Sequence, residues 1–329
     1  MNSIEEEYAA AQDRAAWADL SHWGKIRFSG PDAVDFLQGL TTNDLRRLKP
    51  REGLVTCLLT PKGKLLADFE LYHLEDCLLA LALPQAARNL SGALSKLILL
   101  SDTRMEDITN EWSLFYLTGP KAALLLETLF GPCGDLSPYR TRSIKWRGTE
   151  LFLIAHSRLS AQGKLVLSPT AKSQEIQDRI QEAGEAMGLI KMRPETFNIL
   201  RVEAGIPAYG VDMDEESLPV ETRLEEAISY DKGCYMGQET ISRIRHRGHA
   251  NKTLVGLKIP GQKPPQPGAP VFAGQTECGK ISSAVYSPKL RSVLALATVR
   301  IGQDSAGARL ALNAALAEET AEIIALPLV

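Results

Sequence analysis

Apolar and polar positions alternate differently in three stretches of the chain, and each stretch predicts its own elements. WGKIRFSGPDAVDFLQGL (23–40) and WSLFYLTGPKAALLLETL (112–129) each open on a Trp, run extended, turn at Gly-Pro and continue with helical spacing. Ala33, Phe36, Leu37 and Leu40 recur at that spacing in the first; Ala122, Leu125, Leu126 and Leu129 do so in the second. Pro31 and Pro120 stand near the first helical turn, where a missing N–H costs nothing. The echo predicts two similar strand–turn–helix units rather than a solenoid. After the first unit, GLVTCLLTPKGKLLADFELYHLEDCLLALAL (53–83) reads as three strands with turns at Pro61-Lys62-Gly63 and Glu75-Asp76, then a helix near 85–98. After the second come strands around 143–155 and 163–168 and helices near 171–188 and 195–205, while 206–234 is irregular and rich in charge and proline. From about residue 250, short strands such as KTLVGLKI and SVLALATVR are separated by Gly and Pro clusters such as GQKPPQPG, the pattern of a small β-barrel or sandwich. The expected fold class is α+β: a first subdomain over 1–105 with the chain start, a second over 106–249, and a C-terminal β-barrel over 250–329.

Composition narrows the function classes. The 329 residues are 44% apolar and 23% charged, as in soluble globular proteins. A net charge of −3 gives no global reason to expect nucleic acid as a direct partner. The longest apolar runs, such as LLALAL (78–83), are too short to span a bilayer, and the acidic start MNSIEEEYAAAQDR lacks the features of a signal peptide, so a cytoplasmic protein is expected. Cysteines at 57, 77, 133, 234 and 278 are widely spaced without a C-x-x-C pair, which argues against both a disulfide framework and a structural zinc site. His246 and His249 form an H-x-x-H pair with no acidic or thiolate partner at ligand spacing, so no metal is expected.

DKGCYMGQET (231–240) carries the sharpest local chemistry. Lys232 and a helix beginning after Gly237 could stabilise a thiolate at Cys234, and the glycines let backbone approach a ligand closely. Local chemistry leaves two readings open, a reactive thiol and a small inert turn residue. Arg243, Arg245 and Arg247 follow as a basic cluster that would be a solvated face in most proteins.

The run K-G-C-Y-x-G-Q-E-x-x-x-R at Lys232–Arg243 resembles the signature of the YgfZ-type folate-binding proteins, relatives of the glycine-cleavage T-protein (aminomethyltransferase) that act in iron–sulfur cluster assembly or repair and affect tRNA modification. DLSHWGKIRFSGPDAVDFLQGLTTND (19–44), TPKGKLLADFELY (60–72), RVEAGIPAYGVDMDEESLPVE (201–221) and the closing barrel fall in the superfamily's order. The resemblance implies a three-domain ring around a tetrahydrofolate (or derivative) site, with folate and iron–sulfur assembly proteins or client enzymes as partners. Asp68 would hold the pterin or its bridging nitrogens and assist one-carbon transfer, accepting hydrogen bonds from folate N–H groups. Tyr72 would pack against folate, and Arg201 and Tyr209 of R-x-E-x-G-x-x-x-Y-G would grip and stack on it. Lys232, Gln238 and Arg243 join them as cofactor-binding residues, and Cys234 and Asp68 are the catalytic candidates. Two alternatives stand beside this expectation. One is an aminomethyltransferase moving a methylene group from an aminomethyl-lipoyl carrier to tetrahydrofolate; Asp68 favours it. Against it, the T-protein lacks the Cys234 signature, and its Gly-Glu turn is replaced here by IAHSRLSAQGKLVLSP (154–169). The other is an interaction module that has lost folate.

Overall fold

The structure is a computed structural model that describes residues 2–248, 250–313 and 320–328. The chain divides into two compact units, one gathering residues 1–58, 66–197 and 231–235, the other 59–65, 198–230 and 236–329. In chain order α1 (Ile4–Asp13), β1 (Ala15–Asp19), β2 (Gly24–Ser29) and α2 (Ala33–Gln38) open the first unit. β3 (Gly53–Leu59), β4 (Leu65–His73), β5 (Leu78–Ala82), α3 (Pro84–Leu94) and β6 (Arg104–Asp107) follow. Next come β7 (Trp112–Thr118), α4 (Ala122–Phe130), β8 (Thr141–Trp146), β9 (Thr149–Ala155), β10 (Lys164–Pro169), α5 (Ser173–Glu185), β11 (Leu189–Lys191) and α6 (Pro194–Glu203). α7 (Gln238–Arg247) precedes β12 (Lys252–Ile259), β13 (Pro270–Ala273), β14 (Thr276–Ser287), β15 (Ser292–Arg300), β16 (Arg309–Ala311) and β17 (Thr320–Ile324).

The strands form a five-stranded sheet in the order β3-β4-β5-β2-β6, a six-stranded sheet in the order β11-β1-β7-β10-β9-β8, and a closed barrel of β12-β15-β14-β13-β16-β17. The repeat seen in the sequence is a repeat of backbone. Gly30 and Gly119 occupy the same place in their units, with φ of 108° and 98°, and both turn against another segment of chain. A Cβ on Gly30 would lie 2.3 Å from the carbonyl oxygen of Asp102, and one on Gly119 would lie 2.7 Å from that of Arg14. Glycine is required at both turns by conformation and by space.

The α+β-plus-barrel class holds, but the boundary placed at residue 105 is crossed. β1 lies inside the six-stranded sheet, with Ala15 opposite Leu189 in a parallel pair and Ala16 opposite Thr118 in an antiparallel one. Strands of five and three residues show too little of a period to be read in sequence. The sheet's apolar face, including Trp17, Phe115, Leu153 and Val166, packs on Leu125 and Leu126 of α4 and Ile176 and Ile180 of α5.

In β12 and β15 the period of two is strict, while the register shifts between Val271 and Phe272 of β13 and between Ile281 and Ser283 of β14. Val255, Leu257 and Ile259 of β12 and Val293, Ala295, Ala297 and Val299 of β15 all point into the core. Leu257 stands opposite Ala295 and Val255 opposite Ala297, so large residues face small ones across the narrow interior. Ala295→Phe therefore overfills the barrel and is expected to cost about 1–3 kcal/mol, read as a lower denaturation midpoint. An unchanged midpoint would show that the barrel has room the packing denies.

Candidate functional site

β4 is buried on both faces from Ala67 to Tyr72. Ala67, Phe69 and Leu71 fill one face; Asp68, Glu70 and Tyr72 share the other and are equally buried. Three polar side chains out of water must find partners among themselves or from neighbouring segments. Glu70 does so on both oxygens: Oε2 accepts the Tyr72 hydroxyl, and Oε1 lies 2.9 Å from His156 Nε2. The His156 contact is close but poorly aligned, since neither ring nitrogen makes a well-directed hydrogen bond. Arg158 Nη1 lies between the two carboxylates, 3.6 Å from Asp68 Oδ2 and 4.0 Å from Glu70 Oε1. Tyr72 in turn packs on glycine, since a Cβ at Gly53 would fall 2.3 Å from its ring.

Environment separates the acids. Burial lifts the Asp68 carboxyl above its ordinary range, opposed by Arg158 and its own backbone amide and aided by the Glu70 charge. Burial acts on Glu70 in the same sense but is outweighed by the charge of His156 and by Arg158 and Tyr72, which hold it below the ordinary value. Burial and the adjacent Glu70 charge raise the Tyr72 hydroxyl well above its usual range, so it stays a donor.

Lys232 is buried in the same unit. Its ammonium donates to the carbonyls of Gln38, Thr41 and Asn43 at 2.7, 2.6 and 2.8 Å and lies 5.2 Å from the centre of the Tyr235 ring. An ammonium has three hydrogens and all three are committed, so the expectation that Lys232 binds the cofactor is corrected: it fastens the 231–235 segment to the chain after α2. Burial pulls this ammonium down to about 8, with Asp44 opposing and Arg46 adding to the fall. Two residues on, Cys234 is exposed and is a free thiol.

The second unit holds the remaining candidates. Arg201 is a clamp: Nη1 donates to Asp212 Oδ2 at 2.6 Å and to the Ile206 carbonyl, Nε to Asn198 Oδ1 at 3.0 Å, and Nη2 to Ser283 Oγ at 2.8 Å. Its ion-pair partner is Asp212; Glu203 instead accepts from Ser287 Oγ at 2.5 Å. Tyr209 is buried and its hydroxyl donates to the Leu65 carbonyl at 3.3 Å. Gln238 opens α7 half-buried, and Arg243 is exposed with a loose contact of 3.8 Å to Glu239. Of the basic cluster, Arg245 stacks 3.9 Å above the Tyr230 ring; the Arg247 side chain and His249 lie outside the described residues. Ahead of α7, Gly237 sits at φ 82°, and a Cβ there would lie 2.6 Å from the Thr60 carbonyl oxygen and 3.0 Å from Gly63 Cα. Gly237→Ala is expected to cost about 1–3 kcal/mol from strain and crowding together, measured by thermal unfolding.

The structure thus joins Asp68 and Tyr72 in one network and adds Glu70, His156 and Arg158, to which no chemistry was assigned from the sequence. The signal for Glu70 was present as a polar period of two, Asp68-Glu70-Tyr72, inside an otherwise apolar run. His156 and Arg158 had none, because their partners lie more than 80 residues away in the chain.

Fold and site define a class: an α+β scaffold with a carboxylate on a buried strand, followed in the chain by a C-terminal closed β-barrel. Residues 1–232 match the GCVT N-terminal domain and residues 252–329 the glycine cleavage T-protein C-terminal barrel domain. The chain belongs to the glycine cleavage T-protein family. The aminomethyltransferase of Rubrobacter xylanophilus is 31% identical over 301 residues, covering 90% of this chain and 79% of its own. That of Prosthecochloris aestuarii is 26% identical over 333 residues, covering 100% and 91%. The crystal structure of glycine cleavage system aminomethyltransferase T from Bartonella henselae superposes with a TM-score of 0.90 over 99% of this chain and 90% of its own; at 21% identity it speaks for the fold. The curated relatives overturn the expectation of an iron–sulfur assembly or repair protein of the YgfZ type: the aminomethyltransferases of Prosthecochloris aestuarii and Halothermothrix orenii match 100% and 99% of this chain. No helix among the described residues is long and apolar enough to cross a membrane.

Proposed function

We propose that this protein is a folate-dependent aminomethyltransferase that moves a one-carbon unit from an aminomethylated lipoyl carrier to tetrahydrofolate. The observation that carries the reading is Asp68: a carboxyl only 6% exposed, lifted above its ordinary range, within reach of one guanidinium. The residues suit the ligand, because an acceptor carboxylate at the edge of a buried polar face matches the N–H groups of a reduced pterin. Bound folate supplies the nucleophilic nitrogens. Asp68 orients an N–H by accepting its hydrogen bond and takes the proton at Oδ as the nitrogen bonds to the methylene carbon. Over the two C–N bonds formed, the carbon loses ammonia and the dihydrolipoyl thiol, which carry off the two N–H protons, and a carboxyl with a raised proton affinity is the better base for that relay. Arg158 keeps the carboxyl pointed along the strand face and balances its charge. Cys234, Gln238 and Arg243 enter no step of this reading.

Incubating the protein with aminomethylated lipoyl carrier protein and tetrahydrofolate should release ammonia and form methylene-tetrahydrofolate. Absence of methylene-tetrahydrofolate with a carrier that a known T-protein can discharge rejects the proposal.

A further inference from the structure

The polar face of β4 contains more machinery than one carboxylate needs. Glu70 is buried beside Asp68 with both oxygens engaged, by the Tyr72 hydroxyl and by His156. His156 is itself 1% exposed, and its Nδ1 has no hydrogen-bond partner. Its ring is steadied by aromatic edges, Trp23 at 6.2 Å and 69° and Tyr116 at 5.6 Å and 80°, with Phe197 packed edgewise on both. A buried imidazole whose one polar contact is a carboxylate is poor material for stability alone: apolar residues would fill the space at less desolvation cost. The charged and titratable groups facing this cluster include Arg158 and His156 from the segment after β9, Glu70 and Tyr72 from β4 itself, Tyr116 of β7, whose hydroxyl feels the Glu70 charge, and Tyr139, whose charge would couple to Tyr72.

We propose that Glu70 and His156 are positioning residues for the chemistry at Asp68: Glu70, held as an anion by His156 and Tyr72, shares Arg158 with Asp68 and so keeps the catalytic carboxyl incompletely paired and ready to take a proton. The geometry shows the sharing, with one guanidinium nitrogen 3.6 Å from one acid and 4.0 Å from the other. Without the Glu70 charge, Arg158 no longer divides its charge between two acids, the repulsion between neighbouring carboxylates disappears, and Asp68 becomes a weaker base. The opposite displacement of the two carboxyls from their ordinary ranges agrees with this division of roles. The inference takes its reaction from the transferase reading, but the influence of Glu70 on Asp68 is measurable without turnover.

The test follows the Asp68 carboxyl by carbon NMR in full-length protein with labelled aspartate side chains, its resonance identified as the one absent from Asp68→Asn. In Glu70→Gln the Asp68 midpoint should fall by about one pH unit, and the acidic limb of kcat/KM should move with it. Glu70→Asp, which keeps the charge, should restore the wild-type midpoint. If Glu70→Gln does not fold, the double variant Glu70→Leu with His156→Leu replaces the buried pair by apolar volume and should show the same downward shift. A midpoint that stays at the wild-type value in whichever variant folds overturns the proposal, as does failure of both to fold, which would make the pair purely structural. A shifted midpoint in a protein that transfers no one-carbon unit would uphold the network and reject the reaction assigned to it.

Discussion

Asp68→Asn is expected to lower the rate of one-carbon transfer by about two to four orders of magnitude, the usual contribution of a positioned general base, while leaving the fold intact. Asparagine keeps the shape and one acceptor but cannot take the proton. Stability should move in the other direction or not at all. Because burial raises the Asp68 carboxyl above 3.8, its contribution to stability is full below that pH and is lost as pH rises through the folded-state value. Above its folded-state value the wild type carries a buried charge that the variant lacks. Wild type and Asp68→Asn should differ most at neutral pH and converge as the solution is acidified. Glu70 has the opposite sign: held below 4.5, it contributes stability above that pH which is lost as pH falls through its folded-state value. Steady-state kinetics and thermal melts from pH 4 to 8 separate the two. Activity within threefold of wild type would remove Asp68 from the chemistry.

Lys232→Met should produce the largest loss of stability. The variant leaves the carbonyls of Gln38, Thr41 and Asn43 buried with no donor from residue 232. Abandoning buried acceptors of a charged donor costs about 3–5 kcal/mol in total, or about 4–7 °C in melting temperature for a protein this size. Folate affinity should fall only in proportion to the unfolded fraction. A variant that melts like wild type yet loses folate would return Lys232 to the ligand.

Much of the architecture was legible because it rests on periods and turns. The Gly-Pro echo marks two backbone turns with positive φ, and β12 and β15 of the barrel alternate inward and outward. The short pairing of β1 with β11 was not legible, since three residues in register carry no period. At the site, Asp68 and Tyr72 stood out by resemblance and by the polar face they share. Their setting did not, because Glu70, His156 and Arg158 acquire meaning only when the segment after β9 is laid on β4. Lys232 is the instructive miss: a cation in a glycine-rich signature suggests a ligand, yet the carbonyls that fold around it come from 38–43, and nothing in local sequence announces them.

That lysine also orders events during synthesis. Its acceptor at Asn43 leaves the ribosome 189 residues ahead of it, which at about 5–20 residues per second is a delay of roughly 10–40 s. Through that interval the nascent first unit has its early strands but not the residue that closes them, and residues 59–65 and 198–230, which belong to the other unit, emerge in between. Nascent chains stalled before residue 232 should remain sensitive to protease around residues 38–43, and protection should arrive with a single amino acid.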